Sequence, residues 1–175
     1  MRIFGLAGWS GSGKTTLLTA VIPELVAQGL AVSTIKHAHH EFDIDRPGKD
    51  SWRHRQAGAS EVMVASARRW AIMHELRGAP EPTLEELVAC MSPVDLLLVE
   101  GFKYHPHPKI EVHRPSLGKP LLYPDHPYVV AIASDEAFAA PVPLLPLDDA
   151  GAVARFISDH LGLKSDHLGL GSWRS

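Results

Sequence analysis

Cysteine is nearly absent. Cys90 is the only one in 175 residues, so no internal disulfide is expected and a reducing compartment fits. It follows Leu87-Val88-Ala89 in a helical stretch, so it is expected to be a small buried hydrophobe. Long apolar runs are missing as well. The longest are strand-sized, far short of the roughly 20 residues that a membrane helix needs. A charge excess of either sign is also lacking. The net charge is −3 and no basic run stands out, which argues against general binding to nucleic acid or to anionic membranes. The N-terminus, Met1-Arg2-Ile3, enters the first apolar run directly, so no signal peptide is expected and a cytoplasmic location follows. Charged residues are 21% and apolar residues 45%, which reads as an ordinary globular chain of one-domain size.

What is present is a complete phosphate-binding loop, Gly8-Trp9-Ser10-Gly11-Ser12-Gly13-Lys14-Thr15. An apolar run, Ile3 to Ala7, leads into it. A helical pattern, Thr16 to Ile22, leads out, and the motif needs this strand–loop–helix context. Ser10, Gly11, Ser12 and Gly13 would turn their N–H groups around a polyphosphate, with the start of the next helix adding donors. Lys14 would reach the β- and γ-phosphates as a catalytic cation. Thr15 would hold Mg²⁺, with Thr16 beside it.

Strand-like and helical segments alternate along the chain. Strands are expected at 2–7, 31–35, 61–65, 70–74, 94–100, 109–113 and 128–133. Helices are expected at 14–28, with Pro23 as a kink or an end, and at 50–57 with Asp50 as N-cap. Thr83 and Glu86 form a capping box for a third helix, and a fourth begins at Asp148 or Asp149. The run at 94–100 is continuously apolar, as in a strand covered on both faces. Lys109-Ile110-Glu111-Val112-His113 alternates, as a half-exposed strand should. The expected fold is α/β: a P-loop NTPase domain over 1–163, with a mostly parallel sheet flanked by helices and an added antiparallel hairpin. Ser158 to Leu163 recurs as Ser165 to Leu170, and 164–175 is expected to be a flexible tail.

Glu100 ends the 94–100 strand at its carboxyl end, where open α/β sheets bind ligands. It is therefore the candidate catalytic and Mg²⁺ carboxylate, and Asp95 lies at the wrong end. The loop from Lys36 to Asp50 leaves the same sheet edge. With Asp43, Asp45, Arg46, Lys49 and Asp50 it is a candidate switch that senses the γ-phosphate. His37, His39 and His40 are either metal-binding or polar surface groups. The Asn/Thr-Lys-x-Asp guanine motif is absent. Asp135, just past a buried strand, either accepts the two donors of guanine or caps a short helix at 136–138. No catalytic Gln and no Arg finger in cis are assignable.

Together with Ile35 to His40, Phe42 to Ser51, Arg55 to Ala59, Leu98 to Lys103 and Ala131 to Asp135, the loop resembles the MobB family. These are GTP-binding adapter proteins of molybdopterin-guanine dinucleotide biosynthesis. The resemblance spans about residues 2–162. It implies GTP and Mg²⁺ as ligands and slow hydrolysis. It implies partnership with the guanylyltransferase MobA and with molybdenum-insertion proteins. It also implies a homodimer, with the 61–74 hairpin and the 109–113 strand as candidate interface elements. Asp45 and Asp50 join Glu100 as switch and Mg²⁺ candidates. Ala38 interrupts the histidine run, which weakens a metal role for it. A small-molecule kinase and a metal-delivery GTPase are the rival readings of the same loop.

Overall fold

The computed structural model describes residues 1–38 and 42–163. His39, His40 and the second repeat copy lie outside the described residues. The chain divides into two compact units, one of Met1–His37 with Ser92 onward, the other of Ala38–Met91.

The first unit is built on a six-stranded sheet. Its strands are β1 (Arg2–Ala7), β2 (Val32–Lys36), β5 (Leu96–Glu100), β6 (Lys109–His113), β7 (Val129–Ser134) and β8 (Leu144–Pro146). The order is β2-β5-β1-β6-β7-β8, and every pairing is parallel. Period-2 alternation sends Phe4, Leu6, Leu96, Leu98, Ile110, Val112, Ala131 and Ala133 to one face. There they meet α1 (Lys14–Ala27) and α4 (Ala150–Leu161) in a single core cluster. Helix α1 contributes Leu17, Leu18, Val21 and Leu25, and it continues through Pro23. Pro23 is exposed, so the missing N–H lies on the solvent side. Helix α4 starts at the Asp149 N-cap, whose carboxylate accepts from Ala152 N at 2.8 Å. It ends at left-handed Gly162.

Two expectations fail on this sheet. Strand β6 is buried along its whole length, and it pairs with β1 on one side and β7 on the other. It is an interior strand and offers no edge to a partner. Its polar residues go inside because each finds a partner there. Glu111 accepts from Leu122 N at 2.8 Å and Tyr123 N at 3.0 Å. The segment 136–138 forms no helix, so Asp135 caps nothing there. Strand β8 is an addition. It is short, sits at the sheet edge and ends on Pro146, as an edge strand tolerates.

The second unit holds α2 (Asp50–Gln56), the hairpin β3 (Glu61–Ala65) and β4 (Trp70–His74), and α3 (Leu84–Ala89). Asp50 is the first residue of α2, and Lys49 is its N-cap. The α3 capping box forms as the sequence implies. Cys90 follows α3 and is exposed, because Leu84 is the one buried residue of that helix. On the hairpin, Met63 faces Ile72 and Ala65 faces Trp70. Met63, Ile72 and Trp70 remain 45–63% exposed. Among the described residues no helix is long and apolar enough to cross a membrane.

Candidate nucleotide site

The carboxyl ends of β1, β2, β5, β6 and β7 carry the charged residues of the site. Gly8 to Thr15 turn from β1 into α1. Glycine is required at the first position, where φ is 148° and a Cβ would stand 2.4 Å from Val112 O. Ser12 is 1% exposed, and its Oγ has no hydrogen-bond partner among the described residues. A phosphate oxygen is the kind of partner that such a hydroxyl lacks. Ser10 and Gly11 are exposed at the loop's tip. Lys14 Nζ folds back and donates to Trp9 O at 2.8 Å. Burial lowers the Lys14 pKa, the Glu100 charge opposes this, and Lys103 and Lys36 add to it. An ammonium held among other cations and stripped of water is prepared for an anion.

Thr15 Oγ1 donates to Glu100 Oε1 at 2.7 Å. Lys36, at the end of β2 and in register with Glu100, brings its Nζ to 3.5 Å from Thr15 Oγ1 and 3.6 Å from Glu100 Oε1. The two oxygens thus already attract a cation. A hydroxyl and a carboxylate at the phosphate end of the loop are the oxygen ligands that Mg²⁺ takes.

Trp9 forms the roof. Its Nε1 donates to Pro120 O at 2.7 Å. Lys103 Nζ lies 4.5 Å from the ring centroid, within cation–π range. Beneath this, fully buried Lys109 pins the loop after β5. Its Nζ donates to Lys103 O at 3.0 Å and His105 O at 2.6 Å. Burial pushes the Lys109 pKa down to about 8. Burial, then the charges of Lys109 and His105, pushes His107 down to about 3 and keeps its ring neutral.

Beside the loop lies a cavity of about 570 Å³, lined among others by Thr16, Arg114, Ser134, Asp135, Leu145 and Pro146. Asp135 pairs with Arg114 Nη1. Arg114 Nε also donates to Ser12 O at 3.1 Å. Arg114 was not singled out from the sequence, and it lies against the loop. It stands one residue past β6, which the alternating pattern had sent to the surface. Lys36 was missed in the same way, although a residue ending the strand next to Glu100 is placed to meet it.

Thr15, Glu100, Lys14, Ser12, Thr16 and Asp135 all belong to the first unit. Asp50 belongs to the second, exposed in the first turn of α2. In that unit Arg55 organises the acidic loop. It meets Glu75 at 2.8 Å, Asp43 at 2.9 Å and Asp45 at 3.4 Å. The hydrogen bond from Asp45 N and then that from Arg55 hold Asp43 below the usual carboxylate range. Among the described residues no group of three or more His, Cys, Asp or Glu is placed to hold a metal ion.

Comparison with known proteins places the chain in a family. The family model "Molybdopterin guanine dinucleotide synthesis protein B" (MobB) matches residues 3–135. The molybdopterin-guanine dinucleotide biosynthesis adapter protein of Haemophilus influenzae is 44% identical over 162 residues, covering 91% of this chain and 89% of that protein. Its Escherichia coli counterpart is 43% identical over 158 residues, covering 89% and 90%. A crystal structure of molybdopterin-guanine biosynthesis protein B superposes with a TM-score of 0.71 at 26% identity, covering 90% of this chain and 99% of that one. The chain belongs to the MobB family.

Proposed function

We propose that this protein binds GTP with Mg²⁺ in its phosphate loop and hydrolyses it slowly. It acts as an adapter in molybdenum cofactor biosynthesis, in the cytoplasm and as a homodimer. Its partners are the enzyme that joins GMP to molybdopterin, MobA in the family's terms, and the proteins that insert molybdenum. The adapter role is that of the MobB family. The observation that carries the nucleotide reading is the Thr15–Glu100 contact at the end of a complete phosphate loop.

In this reading the N–H groups of Ser10 to Thr16 and the Lys14 ammonium bind the phosphates. Thr15 and Glu100 hold Mg²⁺, which neutralises the β- and γ-oxygens when bound. Lys14 and Glu100 are the groups nearest the chemistry. Asp135 accepts the guanine N1–H and N2–H₂, a match that adenine cannot make. The loop carrying Asp45 and Asp50 is the segment that responds to the γ-phosphate. Slow turnover follows because no side chain is assigned to orient the attacking water. The hairpin at 61–74 is the remaining dimer candidate, since its apolar residues Met63, Trp70 and Ile72 are exposed.

The test is competitive calorimetry of GTP against ATP with Mg²⁺. A GTP preference of tenfold or more, about 1.4 kcal/mol, supports the reading. Equal binding or an ATP preference removes guanine and favours a small-molecule kinase.

A further inference from the structure

We propose that Arg114 is the second half of the base reader, and that it ties base recognition to the phosphate loop. This rests on the reading that the cavity beside Thr16 and Asp135 takes the nucleoside of GTP. Arg114 and Asp135 each stand one residue past a strand end, and those strands are neighbours with His113 opposite Ser134. The topology therefore puts the two side chains together at the mouth of the cavity. Arg114 spends Nη1 on Asp135 Oδ2 and Nε on Ser12 O. Its guanidinium also lies against Gly13, where a Cβ would stand 3.5 Å from Nε and Nη2.

The chemistry of the pair matches one base. Guanine offers two donors, N1–H and N2–H₂, beside one acceptor, O6. A carboxylate accepts from the first two and a guanidinium donates to the third. Adenine reverses this edge: its N6–H₂ would face the guanidinium and its N1 lone pair the carboxylate. Both protein groups would then lose a partner, and unpaired polar groups in a site are heavily penalised. The cation absent from Ala133-Ser134-Asp135 is thus supplied by the neighbouring strand.

The anchoring matters as much as the charge. A guanidinium fixed at two points loses little freedom on binding, which raises discrimination. The same group holds a carbonyl of the phosphate loop. Filling the cavity and filling the loop are therefore linked through one side chain.

The experiment compares GTP, ATP and inorganic tripolyphosphate, each with Mg²⁺, on the full chain and on Arg114→Gln. The expected result is a GTP-over-ATP ratio reduced tenfold or more, with tripolyphosphate affinity falling by a clearly smaller factor than GTP affinity. A parallel loss for all three ligands would show that Arg114 only holds the loop, and would overturn the proposal. So would an unchanged ratio. Should Arg114→Gln bind nothing, Arg114→Lys serves instead, judged by the same ratio and the same tripolyphosphate control. A native chain that does not prefer GTP refutes the guanine reading itself, whatever Arg114 does.

Discussion

Thr15 and Glu100 are 85 residues apart in sequence and meet at 2.7 Å. The contact exists because β1 and β5 are parallel neighbours, with Leu6 opposite Glu100. One strand ends in the loop and the other in the carboxylate. The threonine hydroxyl donates, so Glu100 is oriented before any ligand arrives.

Glu100→Ala removes the carboxylate that the proposed site gives to Mg²⁺. Mg²⁺ affinity of the GTP complex is expected to fall at least about tenfold, since losing even a group outside the metal's own ligands costs about 10- to 100-fold. A magnesium titration at fixed GTP reads it. GTP affinity in chelator should change little, and a large loss there would assign Glu100 to the loop's fold instead.

Lys109 makes stability rise with pH. Its folded pKa is about 8 against an ordinary 10.5. Between those values the unfolded chain still holds a proton that the folded chain has released. Stability therefore increases across that window, on the order of 3 kcal/mol if the whole gap is expressed. Below pH 8 both states are protonated and the penalty is fully present. Urea unfolding from pH 7.5 to 10.5 should show the rise, and Lys109→Met should flatten it.

Gly101→Ala is expected to destabilise the protein by about 1–3 kcal/mol, from a strained backbone and a forced contact. Its φ is 101°, and the new Cβ would stand 2.8 Å from His37 Cβ. Thermal unfolding measures the loss, and an unchanged midpoint would contradict the geometry.

Arg55→Gln should loosen the acidic loop of the second unit, because one guanidinium meets Asp43, Asp45 and Glu75. Trypsin cleavage after Lys49 is expected to accelerate, as it does where local structure opens. Arg55→Lys should not restore resistance, since an ammonium lacks the fork that spans three carboxylates. Equal cleavage rates in all three proteins would argue against this role.

The phosphate loop, the continuous apolar strand at Glu100 and the Thr83–Glu86 box were legible because each rests on local chemistry. Strand β6 was not. Its alternation of Lys, Ile, Glu, Val and His mimics a half-wet strand. The polar residues are nevertheless buried, satisfied by carbonyls at 103 and 105 and by N–H groups at 122 and 123. Such partners come from distant loops and leave no periodic trace. Misplacing β6 hid Arg114, which follows it. Asp135 was a candidate from its strand end, but its ion pair with Arg114 depended on that missing neighbour. Cys90 misled for the opposite reason: an apolar-looking helix of six residues buries too little to shelter its own end.

The strand order has a consequence for how the chain is made. β1 is an interior strand whose first neighbour, β5, begins about 90 residues later. A ribosome adding about 5–20 residues per second takes roughly 5–20 seconds to cover that stretch. More than half of the interval goes to residues 38–91. Throughout it the apolar run Ile3 to Ala7 has both edges unpaired, the condition that invites strand-to-strand aggregation. The topology that gathers Thr15, Glu100 and Arg114 at one end of the sheet thus makes β1 the strand that waits longest for its first neighbour. Soluble yield should therefore depend on chaperones that shield nascent chains.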